Sequence, residues 1–238
     1  MPRLSHARWW ALDYAWAGLT TVSMIAAPSS ADVYRNPSGA PVVVIPGLLE
    51  RWQYARVLIE ALHDAGCDVH VLESLGGNVG SVSAGATRLI ELVGLRGLSD
   101  VVVVGHSKGG LIAELAMARD RERRIRHVIA ICTPFSGSSR ARFVPGRPFA
   151  ELHTQAALIA ALAPQSGLAG RITTFSVPYD QHVPEGTRLA GARNRSLPAH
   201  GHFRAISDPA SVAIIVAEVL AQHGTSGAAT SAAPLERG

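Results

Sequence analysis

The chain has 238 residues, of which 47% are hydrophobic, so it can bury one substantial core and we expect a single domain. The net charge of +4 comes almost entirely from arginine, because Lys108 is the only lysine. The densest basic cluster, residues 119–126, is interrupted by acidic residues and lacks interleaved aromatic side chains. We therefore expect no nucleic-acid binding.

Two cysteines, Cys67 and Cys132, fall in or beside predicted strands. Cysteine is among the residues most often buried, so we interpret both as buried free thiols rather than as a disulfide. Neither cysteine is placed like a metal ligand or a second nucleophile, and we expect no metal site.

The N-terminal region, residues 1–40, is interpreted as an amphipathic helix and a linker. Residues 9–27 are apolar and carry three tryptophans at helical spacing, which suits a helix that packs on the domain or lies on a membrane surface. Asp13 and Tyr14 interrupt the apolar stretch, which argues against a spanning helix and against a cleaved signal peptide. The expected location is the cytoplasm, with a peripheral membrane contact through this helix left open and secretion as the alternative.

Short Val/Ile-rich runs alternate with helical patterns over residues 41–223, which predicts one α/β domain: a mostly parallel sheet with helices on both faces. The lid segment, residues 140–170, is short, and residues 224–238 have the composition of a disordered tail. The predicted strands are 41–45, 67–72, 101–106, 127–132, 171–177 and 194–197. The predicted helices are 52–65, 83–95, 110–119, 149–163 and 209–223.

The strongest signal is the sequence Gly105-His-Ser-Lys-Gly109, which follows an apolar strand and leads directly into a helix. This context is typical of a nucleophile elbow, a tight turn in which only glycine fits two residues on either side of the serine. Such a turn presents the serine hydroxyl in front of a helix N-terminus. Ser107 is therefore the predicted nucleophile of a serine hydrolase.

A serine nucleophile needs a histidine base and an acid that orients the histidine, here expected in the chain order Ser, Asp, His. Asp180 directly follows a predicted strand and is the predicted acid, whereas Asp208 suits the N-cap of the last helix. His200 and His202 compete for the role of the base. Their position between a short strand and the last helix favours His202, in Gly201-His-Phe203.

The oxyanion hole is expected to use backbone amides, because preorganised N–H donors stabilise developing charge without titrating. The predicted donors are the amide of Lys108, directly after the nucleophile, and that of Leu48, in the loop after the first strand. The Lys108 side chain is expected to point away from the reacting carbonyl. The loop 76–81 and the segment 134–170 are expected to shape the acyl pocket.

Five motifs occur in order along the chain: Pro41-Val-Val-Val-Ile-Pro-Gly-Leu48, Leu75-Gly-Gly-Asn78, Gly105-His-Ser-Lys-Gly-Gly110, Thr133-Pro-Phe-Ser-Gly137 and Gly201-His-Phe203. Together they resemble the α/β-hydrolase superfamily over roughly residues 40–222, in particular its lipase/esterase branch with a small lid. The His-Ser-Lys-Gly-Gly form also resembles actinobacterial-type serine hydrolases and the deacylases of lipid anchors. One departure is Pro46-Gly47, where lipases often have His-Gly.

The resemblance implies hydrolysis of carboxylic esters through a Ser-His-Asp triad and an acyl-enzyme, with no metal and no cofactor. Ser107, Asp180 and His202 would form the triad, and the amides of Leu48 and Lys108 the oxyanion hole. The expected substrate is a small-molecule or lipid-like acyl ester. Acyltransferase or thioesterase chemistry with the same triad is the alternative, and a catalytically silent binding protein is the less favoured one.

Overall fold

The structure, a computed structural model, describes residues 2–26, 30–162 and 167–224. In these residues six strands form one sheet: β1 (Pro41–Ile45), β2 (Asp68–Val71), β3 (Val101–His106), β4 (Ile125–Ile131), β5 (Ile172–Ser176) and β6 (Arg193–Ser196). Their order is β2-β1-β3-β4-β5-β6, and every pairing is parallel. All six predicted strands are present, with ends within two residues of the prediction.

The sheet is covered by helices on both faces, which confirms the predicted α/β architecture. Alternate side chains of β1 enter opposite cores, because Val43 packs with Leu89 and Leu111 while Val42 packs with Ile59. The α-helices of the described residues are α1 (Pro2–Ala26), α2 (Arg56–Asp64), α3 (Val82–Leu95), α4 (Lys108–Arg119), α5 (Arg147–Ala150), α6 (Ala157–Leu162) and α7 (Pro209–Gly224). The helices α3 and α4 lie on one face, and α2 and α7 lie on the other.

The predicted helix 149–163 is wrong, because the chain forms two short helices, α5 and α6, with turns between them. The Leu152 carbonyl accepts a hydrogen bond from the Ser138 amide at 2.7 Å. The backbone of Thr154 also approaches Gly137 so closely that a Cβ there would lie 2.5 Å from the Thr154 Cα. These two tertiary contacts bend a segment whose composition alone favours one helix.

Burial along helix α1 does not follow apolar character at the positions described. Asp13 is fully buried and Ala17 is nearly so, whereas Leu19 and Val22 are exposed. The described part of the chain contains no helix long and apolar enough to cross a membrane. Three parts of these predictions lie outside the described residues: residues 27–29 where the predicted helix meets the linker, residues 163–166 of the lid segment, and the tail beyond residue 224.

Candidate active site

Ser107 stands in a tight turn between β3 and α4, with the positive backbone angle φ 52° that non-glycine residues rarely adopt. Its amide donates a hydrogen bond to the Ile131 carbonyl at 2.8 Å. A Cβ on Gly105 would lie 2.5 Å from the Gly109 backbone, and one on Gly109 would lie 2.4 Å from the Ile45 carbonyl oxygen. Both glycines are therefore sterically required, as the motif predicts.

Asp180 and His202 form a buried hydrogen-bonded pair. Nδ1 of His202 lies 2.9 and 3.0 Å from the two carboxylate oxygens of Asp180. The carboxylate also accepts hydrogen bonds from the amides of His182 and Val183, at 2.8 and 3.0 Å. Burial alone would raise the pKa of Asp180, but the charge and hydrogen bond of His202 and the two amides hold that pKa well below its usual range.

The ionised Asp180 carboxylate keeps a proton on Nδ1 of His202, which leaves Nε2 able to accept one. Burial lowers the pKa of His202, but the charge and hydrogen bond of Asp180, with the charges of Glu50 and Asp13, raise it above the ordinary value. His202 and Ser107 line the same cavity. This arrangement suits a general base beside a hydroxyl nucleophile.

The competing residues lie elsewhere. His200 stacks on Trp9 of α1, with ring centroids 4.3 Å apart. Asp208 accepts hydrogen bonds from the amide and hydroxyl of Ser211, at 3.0 and 3.1 Å, in the first turn of α7. The structure thus brings His202 to Asp180, and it gives Asp208 the capping role predicted for it.

The loop after β1 carries the predicted oxyanion donor Leu48 and is braced from two sides. The Gly47 amide donates to Oε2 of Glu50 at 2.7 Å, and the Asn78 side-chain amide donates to the Pro46 carbonyl at 2.8 Å. Leu48 lines the cavity next to Ser107. Within the described residues, the amides of Leu48 and Lys108 donate no hydrogen bond, so both are available to a ligand.

The Lys108 side chain is buried and belongs to the support of the site. Its Nζ donates to the carbonyl of Asn78 at 3.0 Å and to that of Gly80. Burial lowers the pKa of the Lys108 amine, and the charge of Glu151 opposes that shift. The ammonium therefore anchors the loop that in turn holds the Pro46 carbonyl, in keeping with the predicted orientation of this side chain.

A second carboxylate–histidine pair, which the sequence did not reveal, connects the loop after β1 that carries Leu48 to the histidine loop, residues 201–204, which carries His202. Glu50 and His106 are both buried, and Oε2 of Glu50 lies 2.8 Å from Nδ1 of His106. Nε2 of His106 lies 3.1 Å from the His202 carbonyl oxygen. The chain of contacts therefore runs from the Gly47 amide through Glu50 and His106 to the backbone of the predicted base.

The partners of His106 determine where its protons lie. The His202 carbonyl can only accept, so Nε2 of His106 must carry a proton. Nδ1 faces a carboxylate, so a second proton lies between Nδ1 and Glu50. Burial raises the pKa of Glu50, but the charge and hydrogen bond of His106 overcome that effect and lower it. Together the two side chains carry no net charge, which suits their burial beside His202.

The cavity next to Ser107 has a volume of about 400 Å³. Its wall is mostly apolar and includes Tyr14 of α1 and Phe149 and Leu152 of the lid segment. The loop 76–81 does not line it, so the expectation that this loop shapes the pocket is wrong for this cavity. A larger cavity of about 560 Å³ lies along the edge strand β2, and its lining contains none of the predicted catalytic residues.

One cluster in the described residues has the spacing of a metal site: ligand atoms of His106, Cys132 and His202 lie within 4.8 Å of one another. The sequence did not anticipate this place for Cys132. Both nitrogens of His106 and Nδ1 of His202 already bond Glu50, the His202 carbonyl and Asp180. The donor set therefore fits a hydrogen-bond network better than an ion.

The fold has solved counterparts. The mature Bacillus licheniformis lipase BlEst2 is 16% identical with a TM-score of 0.64, over 78% of this chain and 94% of that chain. Aspergillus fumigatus lipase B is 16% identical at 0.65, over 81% and 55%, and Paleococcus ferrophilus monoacylglycerol lipase is 16% identical at 0.54, over 77% and 96%. The chain has the α/β-hydrolase fold. No protein-family model and no curated protein matches it.

On this α/β-hydrolase fold, two residues lie near the site that the sequence did not predict there, Glu50 and Asp13. Glu50 follows a Gly-Leu-Leu loop and looks like an ordinary surface residue, so no signal marks it. Asp13 does carry a signal, because a single acidic residue in an otherwise apolar helical stretch needs a buried polar partner. The partner is the histidine loop, because the backbone amides of Phe203 and Arg204 donate hydrogen bonds to the Asp13 carboxylate.

Proposed function

We propose that this protein hydrolyses carboxylic esters through an acyl-enzyme formed on Ser107. The observation that carries the proposal is the hydrogen-bonded pair of Asp180 and His202 at a cavity that Ser107 also lines. The strained turn at Ser107 and the likeness of the fold to lipases support it further.

In the first step, the Ser107 hydroxyl attacks the ester carbonyl carbon while Nε2 of His202 takes the hydroxyl proton. The carbonyl oxygen becomes an oxyanion that accepts hydrogen bonds from the amides of Leu48 and Lys108, each worth roughly 100- to 1000-fold in rate. Collapse of the tetrahedral intermediate breaks the bond to the alcohol oxygen. His202 donates its proton to that leaving group, and the acyl group stays on Ser107.

In the second step, water attacks the acyl-enzyme and Nε2 of His202 takes a proton from the water. The new oxyanion uses the same two amides, and its collapse releases the carboxylic acid. The proton on His202 returns to the Ser107 oxygen. Throughout, Asp180 holds the ring in one tautomer and stabilises its charged form.

The shape and chemistry of the cavity favour an apolar acyl ester. Its wall consists largely of side chains such as Leu48, Val144 and Phe203, which bury hydrocarbon rather than charge. The solved structures with this fold include proteins named as lipases and a monoacylglycerol lipase. A lipid-like or small apolar ester is therefore the proposed substrate class.

The test is turnover of a series of p-nitrophenyl esters from acetate to laurate, with and without liposomes, together with fluorophosphonate labelling. We expect turnover and labelling at Ser107, loss of both in Ser107→Ala, and no loss in Ser196→Ala, which alters an exposed serine of the edge strand β6. Analysis of the acyl product in water and with an alcohol acceptor separates hydrolysis from transfer. A folded wild-type protein that neither turns over nor labels would overturn the proposal.

A further inference from the structure

We infer that Asp13, on the N-terminal helix α1, is a positioning residue that holds the His202 loop in its active geometry. The inference rests on the proposed function, because it assigns Asp13 a role in the same site. The inference implies that α1 contributes to the geometry of the predicted catalytic site and does not only pack on the domain.

The carboxylate of Asp13 contacts the histidine loop on both sides of His202. Its oxygens accept hydrogen bonds from the amides of Phe203 at 3.2 Å and Arg204 at 2.8 Å. On the other side, a Cβ on Gly201 would lie 2.5 Å from Oδ1 of Asp13, so the loop closes directly onto the carboxylate. The base is therefore flanked by backbone that a side chain of α1 fixes.

The same carboxylate also reaches the loop of the predicted acid, since Oδ2 of Asp13 accepts a hydrogen bond from the Gln181 side-chain amide. Gln181 directly follows Asp180. Neighbouring residues of α1 add contacts to the same loop, because the Tyr14 hydroxyl lies 3.0 Å from Nε2 of His182 and His6 stacks on Tyr179 at 4.6 Å. One helix thus braces both loops that carry the Asp180–His202 pair.

The burial of Asp13 indicates that this contact is specific. A fully buried carboxylate is costly unless hydrogen bonds replace its hydration. Asp13 receives three such bonds from the two catalytic loops. An aspartate is also a poor residue for a helix interior, so helix formation alone does not account for it.

Asp13 also contributes to the field at the predicted base. The groups that face His202 are the carboxylates of Asp180, Glu50 and Asp13, the rings of His106 and His182 at 4.7 and 4.8 Å, and the Cys132 thiol. The charge of Asp13 favours the protonated form of His202, so it raises the pKa of that ring. Removing the charge should therefore lower the pH at which His202 becomes a free base.

The experiment compares Asp13→Asn with Asp32→Asn, which removes an exposed carboxylate of the segment Ala31–Tyr34. Ester hydrolysis is measured against pH, and rates are normalised by active-site titration so that unfolded protein does not count. We expect kcat of Asp13→Asn to fall about 10- to 100-fold with KM nearly unchanged. The acid limb of its kcat/KM profile should also move to lower pH, and Asp32→Asn should show neither change.

If Asp13→Asn does not fold, Asp13→Ser provides the same test, because a hydroxyl retains a hydrogen-bond acceptor without the charge. A folded variant with wild-type kcat and an unmoved acid limb would overturn the inference. A fall in kcat without the pH shift would also overturn it, because general loosening of the structure explains that result. Failure of the proposed function looks different, since the wild-type protein itself would then lack turnover and labelling.

Discussion

Ser107 lies in a tight turn whose five-residue motif is visible in the sequence, whereas His202 lies on a loop held by side chains distant in sequence. At the turn, Gly105 and Gly109 pass against neighbouring backbone with no room for a side chain. At the loop, Asp13 bonds the amides after His202, and His106 bonds its carbonyl. The difference teaches that steric necessity places the nucleophile, while long-range hydrogen bonds place the base.

Removing the base should have the largest effect on activity. We expect His202→Ala to lower kcat by about 10⁴-fold or more, because within the described residues no other imidazole ring bonds Asp180. The matched control is His200→Ala, whose ring stacks on Trp9 and makes no bond to the acid. Steady-state ester hydrolysis measures both, and a large loss in His200→Ala with activity kept in His202→Ala would reverse the assignment.

Adding a side chain in the turn at Ser107 tests whether steric constraints position the nucleophile. Gly109→Ala places a Cβ 2.4 Å from the Ile45 carbonyl oxygen, so we expect a loss of about 2–3 kcal/mol in unfolding free energy and at least about 100-fold in kcat. Gly94→Ala is the control, because nothing lies within 4 Å of its Cβ position in α3.

The control should gain about 0.5–1 kcal/mol from the better helix propensity of alanine. Urea unfolding and ester hydrolysis measure the pair of glycine variants. Equal stability and activity in the two would mean that the turn tolerates a side chain.

A substitution at Glu50 tests whether long-range hydrogen bonds position the base, because Oε2 of Glu50 is hydrogen-bonded to both the Gly47 amide and Nδ1 of His106. In Glu50→Gln, an amide nitrogen in that place loses the bond from the Gly47 amide, and an amide oxygen there leaves the charged form of His106 without its counter-ion. We expect kcat to fall about 10- to 100-fold, since an unpaired buried group costs about 1–3 kcal/mol.

Glu91→Gln, an exposed change on α3, is the matched control for Glu50→Gln and should behave as wild type. Measuring kcat and KM separately shows whether the loss lies in the chemical step. A Glu50→Gln enzyme with the wild-type kcat would show that the Glu50–His106 contact between the loop after β1 and the His202 loop is not needed for activity.

The smallest effect on activity is expected at Glu114 of α4, which belongs neither to the turn at Ser107 nor to the loop of His202. Burial raises the pKa of Glu114 to about 7, and within the described residues its Oε2 has no partner. The unfolded chain ionises this group near its ordinary pKa of about 4.3, so stability falls as pH rises from there towards 7 and then levels off.

Glu114→Gln removes that penalty, and we expect it to be more stable than wild type by about 3 kcal/mol at about pH 8 and by much less at about pH 5. Denaturant unfolding at the two pH values measures the difference. A stability gain that is the same at both would contradict the assignment of the raised pKa to this carboxyl.

Much of the fold was predictable because parallel strands buried on both faces are near-continuous apolar runs, which are visible in the sequence. The strands β1 and β3 match the prediction residue for residue. The helix predicted over 149–163 was wrong because contacts with Gly137 and Ser138 outweigh local propensity there. Asp180 and His202 were selected by chain order, and their pairing is a property of the folded molecule.

The amino-acid order alone indicates the α/β architecture and the turn at Ser107, because apolar strand runs and the Gly-x-Ser-x-Gly motif are each visible within a few neighbouring residues. It does not specify which groups hold the base. Asp13 acts on Arg204 across 191 positions, and His106 on His202 across 96. Such hydrogen bonds form only when the completed sheet and α1 bring the partners within 3 Å or so of each other, so the tertiary structure alone decides them.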